Sequence, residues 1–345
     1  MPTTNLTISD QLLSTTAFAL HDEIVDALDI NRPLLANIDK MGKREQQGGE
    51  RMIVSWRFNR HSQTTQLSTG YEPVNMTVQP VGTPGWEGWM DCIRPVVISG
   101  HEERLNRGEA EIVSILESRL QDTEQGFRAE FEEQLLFGNV PSMSDSVTLN
   151  GVVDTTGLLE NRAVGAQTNT IHHVSRALHA GAPGFQNQYG DVGNAAANHL
   201  PTLYEIITRI NRLAGGAGTS RNSIRGYQSV EACKNMKDLL IAQERYLTES
   251  ELDGGKLVQF YNGIPLEVTD LPNQTNYSAM GTTDVSYIFL DHAQIQWVGQ
   301  SGFYFKLSEF QSQPGYDTKA AFMHHMGQLV GRYFGTSALV VNADY

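Results

Sequence analysis

A two-residue period of apolar side chains predicts a long β-hairpin at residues 50–98. On the outgoing strand, the apolar residues at every second position are Met52, Val54, Trp56 and Phe58, as expected for a strand with one buried face. The returning strand contains Trp86, Trp89, Ile93, Val96, Val97 and Ile98. The polar segment between them, residues 62–84, is far longer than an ordinary hairpin turn, and loops of that length are usually functional or held by a partner.

The helical period is clearest at residues 106–137. Asn106 and Glu109 suit a helix start because both can satisfy free backbone amides of the first turn, and Gly138 suits its end. At ~1.5 Å per residue the predicted helix is roughly 45 Å long, well above the average helix. A second apolar stripe predicts one helix on an N-terminal arm and comprises Leu13, Ala17, Leu20, Ile24 and Leu28.

The rest of the chain divides into two regions that differ in amino-acid composition and hydrophobic pattern. Residues 139–200 are rich in Gly, Ala, Asn and Gln, and residues 180–197 contain so few core-forming side chains that we expect a surface excursion there. Residues 201–345 predict mixed helices and strands, with helices at 201–213 and 233–245, a buried strand at 287–290 and a final strand at 337–342. A hairpin is predicted around Asn262-Gly263, a pair that favours a tight turn between strands.

Length and charge restrict the class of protein. The chain has 345 residues, which suggests two domains or one domain with long extensions. Its formal net charge of −14 argues against tight nucleic-acid binding, which needs clustered Lys and Arg, but is compatible with a protein that only surrounds DNA. We expect Cys92 and Cys233 to be free thiols in a reducing compartment rather than a disulfide, and we expect no signal peptide and no membrane span.

No motif in the sequence indicates catalysis or metal binding. There is no Gly-rich phosphate loop and no G-x-S-x-G nucleophile motif. The pairs His172-His173 and His324-His325 are poor chelators because adjacent side chains point in different directions, so we interpret them as packing or solvated histidines. The carboxylates of the long helix are interpreted as its solvated face. We therefore predict that the protein is not an enzyme and has no catalytic residues, cofactor or metal.

Two tryptophans on the returning arm are candidate intersubunit contacts. Trp86 and Trp89 are three residues apart and lie beside glycines. They either pack the hairpin on its own subunit or anchor it in a neighbour, since tryptophan is favoured at the centres of interfaces. The sequence leaves these two interpretations open.

A group of arginines on the outgoing arm is the second candidate. Arg51, Arg57 and Arg60 lie on one polar face of the predicted strand. They either form a solvated face or pair with acidic residues of a neighbouring subunit, such as Glu102 and Glu103.

The similarity of this chain to a known fold rests on the order of its elements more than on any single motif. A long helix ends in Gln134–Gly138, and the chain closes on the strand-like segment Gly335–Val340. The whole resembles the Hong Kong 97 bacteriophage fold, the α+β fold of tailed-phage major capsid proteins, which encapsulins share. The resemblance assigns residues 1–49 to an N-terminal arm, 50–100 to an extended β-hairpin loop, 101–195 to a peripheral domain with a spine helix at about 106–137 and a loop excursion, 196–300 to an axial domain, and 301–345 to return strands of the peripheral domain.

The resemblance implies a major capsid protein that self-assembles into pentamers and hexamers of an icosahedral shell around double-stranded phage DNA. Axial domains would surround the symmetry axes, while hairpin loops and arms would overlap neighbouring subunits. Further expected partners are a separate scaffolding protein, a portal and a cement or decoration protein. DNA would be enclosed without sequence-specific binding, no membrane is involved, and assembly would take place in the host bacterial cytoplasm before the protein becomes part of the virion.

Two departures from the family pattern refine this expectation. Some relatives weld their subunits covalently through a lysine on the extended loop, but here no lysine lies between Lys43 and Lys234. A weld from this loop is therefore chemically unavailable. Some relatives also carry a cleaved N-terminal scaffolding region, whereas the arm and loop use the roughly 100 residues before the spine helix. We therefore expect either a separate scaffolding protein or none.

Three other functions fit parts of the sequence. An encapsulin, the shell of a cellular compartment, has the same fold with protein cargo in place of DNA. A soluble α/β enzyme with an unrecognised site would form a small oligomer with a pocket of perturbed titratable groups. A minor vertex protein of the same ancestry would differ in its copy number per particle.

Overall fold

The structure, a computed structural model, is described for residues 33–58, 70, 82–105, 115–137, 158–160, 162–217, 221–242, 248–252, 256–269, 285–312 and 315–343. Its elements up to residue 137 are helix α1 (Pro33–Asn37) with the π-helical turn Ile38–Gly42, strands β1 (Lys43–Gln46), β2 (Met52–Arg57), β3 (Gly82–Glu87) and β4 (Met90–Ser99), and helices α2 (Gly100–Leu105) and α3 (Ile115–Phe137). The later elements are strands β5 (Thr170–Ile171), β6 (Val174–Ser175) and β7 (Gln188–Asp191), helix α4 (Ala196–Ala217), strand β8 (Ile224–Gln228), helix α5 (Val230–Ala242), and strands β9 (Thr248–Leu252), β10 (Lys256–Tyr261), β11 (Ile264–Val268), β12 (Val285–Asp291), β13 (Ile295–Gln300), β14 (Lys306–Leu307), β15 (Gln311–Ser312), β16 (Thr318–Gly331) and β17 (Ala338–Val341).

One sheet, here called the β12 sheet, has the strand order β7-β17-β12-β8-β11-β10-β9. Every residue of β12 and β17 is buried, as expected for strands covered on both faces. On one face Ile206 of α4 and Met236 of α5 belong to a core cluster with Phe289. On the other face Ile288 belongs to a second cluster that includes Phe185. The β12 sheet therefore has apolar cover on both sides.

The second sheet, here called the β16 sheet, has the order β1-β13-β16-β14, and β4 and β15 also pair with β16. Strands β4 and β16 are antiparallel from Met90 opposite Gly327 to Ser99 opposite Thr318. Helix α3 packs on one face of this sheet, where the ring of Phe131 meets Trp297 edge-on at 4.7 Å. A salt bridge of 3.0 Å joins Arg94 of β4 to Glu130 of α3.

Most of the elements predicted from periodicity are present. Strands β2 and β3 form the antiparallel hairpin, β10 and β11 form the second one, and the turn residues Asn262 and Gly263 have φ values of 49° and 82°, as a tight turn requires. The long helix predicted at residues 106–137 is present over Ile115–Phe137. Its predicted start at Asn106 lies outside the described residues, as does the helix predicted on the N-terminal arm. The apolar face predicted for α4 is buried and comprises Leu203, Ile206, Ile207 and Ile210.

Two expectations need correction. The predicted hairpin ended at residue 98, but β4 pairs with β16, so only β2 and β3 pair as hairpin strands. The surface excursion predicted at residues 180–197 is wrong, because β7 lies in the β12 sheet and Phe185, Gln186 and Asn187 are buried. In both cases the local pattern does not identify the partner of a segment, which tertiary packing decides. The predicted final strand is present as β17 and pairs with β12 and β7.

Candidate intersubunit contacts

The inward face of β2 fixes the hairpin to its own subunit. Trp56 is buried, and its indole Nε1 donates a hydrogen bond of 2.7 Å to the carbonyl of Arg332. Its ring lies parallel to that of buried His172, with centroids 5.9 Å apart, and Met52 packs on the β16 sheet. On the outward face Ile53 is 72% exposed. The hairpin base is therefore part of the folded subunit, and its other face is open to solvent.

Trp86 is held by contacts within its own chain. The His173 imidazole stacks on it at 3.6 Å, and the Arg51 guanidinium lies 4.1 Å from its ring centroid, a cation–π contact. The Trp86 amide also donates to the His172 carbonyl at 3.1 Å. Both histidines have positive φ values, 48° and 64°, because they form the tight turn between β5 and β6. This turn and the hairpin thus support each other.

Trp89 also has partners in its own subunit. Its Nε1 donates to the Gly49 carbonyl at 2.7 Å, and its ring packs against a small cluster of Met52, Val298 and Val330. These contacts agree with packing of the hairpin on its own subunit. The role of Trp86 and Trp89 as anchors in a neighbour stays a prediction.

The structure separates the three candidate arginines. Arg51 pairs with Glu50 at 3.4 Å in addition to its contact with Trp86. Arg57, at the end of β2, is exposed, and no partner of its side chain is found in the described part of the chain. Arg60 lies outside the described residues. Of the two described arginines, Arg57 is thus the one without a partner in the described part of the chain, and its pairing with a neighbour stays a prediction.

Glu102 is engaged inside its own subunit. Its carboxylate accepts hydrogen bonds of 2.9 and 2.8 Å from Arg119 of α3 and one of 3.1 Å from the Ser99 amide. Burial alone would raise the pKa of this carboxyl, but the Arg119 and Ser99 hydrogen bonds outweigh it and hold the pKa below its usual value. Glu103 lies on the same helix, and its side chain is outside the described part. Pairing with a neighbour's arginines stays a prediction, although the Glu102 carboxylate is already satisfied.

Sequence reasoning missed an exposed apolar stripe on the β16 sheet. On the face of β4 and β16 away from α3, Ile93, Val97 and Phe322 are 53%, 44% and 42% exposed. Phe303, 39% exposed, packs edge-on against His324 beside them. These four apolar residues are called the apolar stripe below. The signal was present, because β4 has Ile93 and Val97 at outward positions as well as Val96 and Ile98 at inward ones.

The paired histidines make hydrogen bonds and ring contacts within the subunit. His172 Nε2 accepts from the Gly331 amide at 3.0 Å, so Nδ1 carries the proton and donates to Glu87 at 3.0 Å. His325 is buried among aromatic rings, including Phe131 at 4.4 Å and Phe305 at 4.2 Å. Burial, together with the nearby cations Lys43 and Arg128, lowers the pKa of His325 to about 3. Among the described residues no group of histidines, cysteines and carboxylates could hold a metal ion.

The remaining sequence expectations concern thiols and membranes. Cys92 and Cys233 are free, and each is half-buried. Burial, together with Asp91 and Glu130, raises the pKa of the Cys92 thiol to about 11. Within the described ranges no helix is both long enough and apolar enough to cross a membrane.

Comparisons of the whole fold give a consistent picture. No family model matches the sequence, and no curated protein matches it either. Solved structures do match, among them the capsid of cyanophage A-1(L), with a TM-score of 0.61 at 12% identity over 97% of this chain and 99% of that one. The capsid of an empty GTA particle matches with a TM-score of 0.58 at 11% identity, over 93% of this chain and 100% of the other.

An encapsulin is also similar. The SrpI encapsulin of Synechococcus elongatus PCC 7942 matches with a TM-score of 0.53 at 11% identity, over 93% of this chain and 92% of that one. The chain thus has the α+β fold of capsid and encapsulin subunits. It is the Hong Kong 97-type fold, as the order of elements along the sequence predicted.

Proposed function

We propose that this chain is the major capsid protein of a tailed bacteriophage, which self-assembles into the pentamers and hexamers of an icosahedral shell around double-stranded DNA. The observation that carries the proposal is the end-to-end likeness to the cyanophage capsid subunit, which covers 97% of this chain and 99% of that one. Both chains are thus accounted for almost completely by one fold. A catalytic role is not part of this proposal, and neither is a cofactor.

The surface of the isolated subunit supports self-assembly. The apolar stripe and Ile53 leave several large apolar side chains in water, and contiguous apolar surface of this kind marks interaction sites. The stripe lies on β4 and β16, while Ile53 projects from the hairpin strand β2. Contacts with neighbours on these surfaces would remove that area from water, at about 25 cal/mol per Å² of apolar surface.

The family arrangement suggests a role for each region. We assign the β12 sheet with α4 and α5 to the axial domain, around the local symmetry axes. The β16 sheet with α3 becomes the peripheral domain, and β2 and β3 become the base of the extended loop. A separate scaffolding protein, a portal and a cement protein are the further partners in this proposal, and assembly takes place in the host cytoplasm.

The second candidate is an encapsulin-type shell. The likeness to the SrpI encapsulin favours it, since 93% of this chain is covered. Both candidates predict a closed shell of many identical subunits, so the fold alone does not separate them. They differ in content, which is double-stranded DNA for the capsid and a cargo protein for the encapsulin.

Electron microscopy with light scattering on the purified chain tests the shared part of both proposals. We expect icosahedral shells, rings of five or six subunits, or tubes, if necessary after co-expression with neighbouring genes that supply a scaffolding protein. Particles isolated from the natural source then decide between the candidates by their nuclease-protected DNA. A small oligomer that stays small under all of these conditions would contradict a shell function and favour an enzyme.

The intact mass of shell-derived protein tests whether subunits are covalently joined through the extended loop. We expect the mass of a single chain without cross-links, because the loop has no lysine from which a covalent link could form. A cross-linked ladder would contradict this part of the proposal. The shell assignment itself would survive such a result.

A further inference from the structure

An open cleft of about 540 Å³ lies between the outgoing hairpin strand β2 and the face of the β16 sheet. Its cations are Arg44 of β1 and Arg332, which follows β16. Its lining also includes glutamine amides from β1 and β13, the rim residue Ile53 and the apolar side chains of Met52, Val298 and Val330. All its lining residues lie in the described part of the chain, and none of them is Asp or Glu. We call it the cationic cleft.

The two guanidinium groups of the cleft are available. Arg44 and Arg332 are both exposed, and within the described ranges neither side chain has a hydrogen-bond or ion-pair partner. The Arg332 backbone is nevertheless fixed, because its amide donates to Gln294 at 2.9 Å and its carbonyl accepts from Trp56 at 2.7 Å. Arg119, by contrast, already has a carboxylate in its own subunit. The cleft therefore presents two positive charges that no side chain of the described residues neutralises, one of them on a backbone fixed by hydrogen bonds.

The strand register gives the separation between the backbone positions of Arg44 and Arg332. Arg44 lies opposite Val298 of β13, and Arg332 is bonded to Gln294, which precedes β13. Val298 and Gln294 are four residues apart along the chain, which corresponds to about 13 Å at ~3.3 Å per residue of strand. The two arginines also flank β13 on opposite sides, which adds about two strand spacings of ~4.8 Å each. Such a spacing suits two carboxylates on one extended segment better than a single small anion.

The exposed apolar residue Ile53 at the rim of the cleft also fits an extended segment. Side chains on one face of an extended chain recur every ~7 Å, and those on the other face point away. An extended segment can therefore direct carboxylates to the arginines while an apolar side chain covers Ile53, which is 72% exposed. The Gln296 amide, which donates to the Ala293 carbonyl at 3.1 Å, lines the cleft as well.

We propose that the cationic cleft receives an extended acidic segment of a neighbouring copy of this chain, whose carboxylates pair with Arg44 and Arg332. The inference rests on the proposed shell function, which brings copies side by side. Charge complementarity favours a second copy, because each copy has 39 Asp and Glu against 25 Lys and Arg and so carries carboxylates in excess. Pairs of this kind fix docking orientation more than they add affinity.

The first test compares two charge-matched variants of the full chain under conditions where the wild type forms shells. In the cleft variant Arg44→Gln and Arg332→Gln are combined, and in the control Arg162→Gln and Arg209→Gln are combined. Both control arginines are exposed and pair with glutamates of their own chain. We expect the control to assemble like the wild type and the cleft variant to stay as folded subunits or capsomers, with unchanged circular dichroism.

A second measurement identifies the occupant. Replacement of Ile53 by a photo-reactive benzoylphenylalanine, in shells grown from mixed light and heavy isotope-labelled chains, captures whatever lies in the cleft. We expect cross-links between light and heavy chains, to a peptide that contains at least two acidic residues. Cross-links confined to one chain, or to a peptide without acidic residues, would overturn the inference.

The two proposals fail in different ways. Normal shells from the Arg44→Gln, Arg332→Gln variant would overturn the cleft proposal and leave the capsid function intact. A wild-type chain that never associates would overturn both. Loss of assembly in the control as well as in the cleft variant would attribute the effect to net charge, and it would also contradict a specific role for the cleft.

Discussion

The two sheets of the subunit differ in how completely they are covered. In the β12 sheet all seven residues of β12 are buried between two apolar clusters. In the β16 sheet, helix α3 covers one face, while the other carries the apolar stripe. The β12 sheet has apolar cover on both faces within a single chain. The β16 sheet keeps exposed apolar side chains and two arginines that have no partner among the described residues.

This difference separates the stability of the subunit from its association. Apolar area that is buried in the monomer contributes to folding whether or not a neighbour is present. Apolar area that stays exposed contributes only when another surface covers it. The β12 sheet should therefore dominate unfolding of the subunit, and the outer face of the β16 sheet should dominate assembly.

The largest effect is expected from Phe289→Ala in the centre of the β12 sheet. Phe289 is fully buried, and its ring stacks near Tyr287 at 6.2 Å. Removal of a buried phenylalanine ring costs ~3–5 kcal/mol in the free energy of unfolding, because it leaves a cavity as well as losing apolar burial. Urea unfolding of the unassembled subunit measures the loss.

The matched control for this prediction is Phe322→Ala on the apolar stripe. Phe322 is 42% exposed, so the same substitution should cost less than about 1 kcal/mol. Equal losses from the two variants would show that both sheets contribute alike to subunit stability, and the comparison would then be wrong.

The second-largest effect is expected from His325, which packs against Phe131 of α3 and should make the subunit less stable in acid. Its folded pKa of about 3 lies below the ordinary value of 6.5, so the unfolded chain binds the proton more readily. The subunit therefore loses stability as pH falls below about 6.5, at up to ~1.4 kcal/mol per pH unit, until the folded pKa is reached. We expect His325→Leu to remove this part of the pH dependence.

The measurement is urea unfolding of the unassembled subunit between pH 7 and pH 4. Within the described ranges neither His325 ring nitrogen has a hydrogen-bond partner, so His325→Leu should not weaken the subunit at pH 7. His325→Phe is the matched control for shape, since it keeps a ring beside Trp297 without a titrating group. An unchanged pH slope in both variants would contradict the prediction.

Sequence periodicity predicted the parts of the fold that depend on local pattern. The strand at 287–290, the turn at Asn262-Gly263 and the apolar face of α4 are all present, because burial on one or both faces imposes a period that the sequence displays. The order of these elements also predicted the fold type, which the structural comparisons bear out.

Partners that are distant in the chain could not be predicted in this way. Arg176 is fully buried and donates to the carbonyls of Leu158 and Phe185 and to Asn187 Oδ1, which organises residues expected to be a surface excursion. A polar segment gives no periodic signal when its core consists of hydrogen bonds. The apolar stripe and the free arginines of the cationic cleft were likewise missed, since exposure depends on which elements cover a face.

A smaller effect is expected from Glu102→Gln, which weakens the attachment of α3 to the β16 sheet. The substitution removes the charge from a buried pair with Arg119 and should cost ~1 kcal/mol at pH 7. The folded pKa of Glu102 is lowered, so its stabilisation is present above the unfolded pKa and is lost as pH falls through the folded value. The difference between variant and wild type should therefore shrink in acid.

Urea unfolding at pH 7 and at pH 3 measures this difference. Glu130→Gln is the control, because Glu130 pairs with Arg94 at 3.0 Å but is 43% exposed, and exposed pairs contribute little. A Glu130 variant that is destabilised more than the Glu102 variant would show that the exposed pair, not the buried one, holds α3 on the sheet.

The smallest effect on unfolding is expected from Ile93→Ser in the apolar stripe. Ile93 is 53% exposed on the face of β4 away from α3, so the unassembled subunit should change by less than ~0.5 kcal/mol. The same change removes apolar surface that a neighbour would cover, so assembly measured by light scattering should need a higher protein concentration. Leu178→Ser, at an 81% exposed position on another segment, provides the comparison, since its stability should also be unchanged and its assembly unaffected. If Ile93→Ser instead lowers subunit stability as much as Phe289→Ala, the outer face of the β16 sheet is part of the monomer's own core, and the division between a folding sheet and an assembly sheet does not hold.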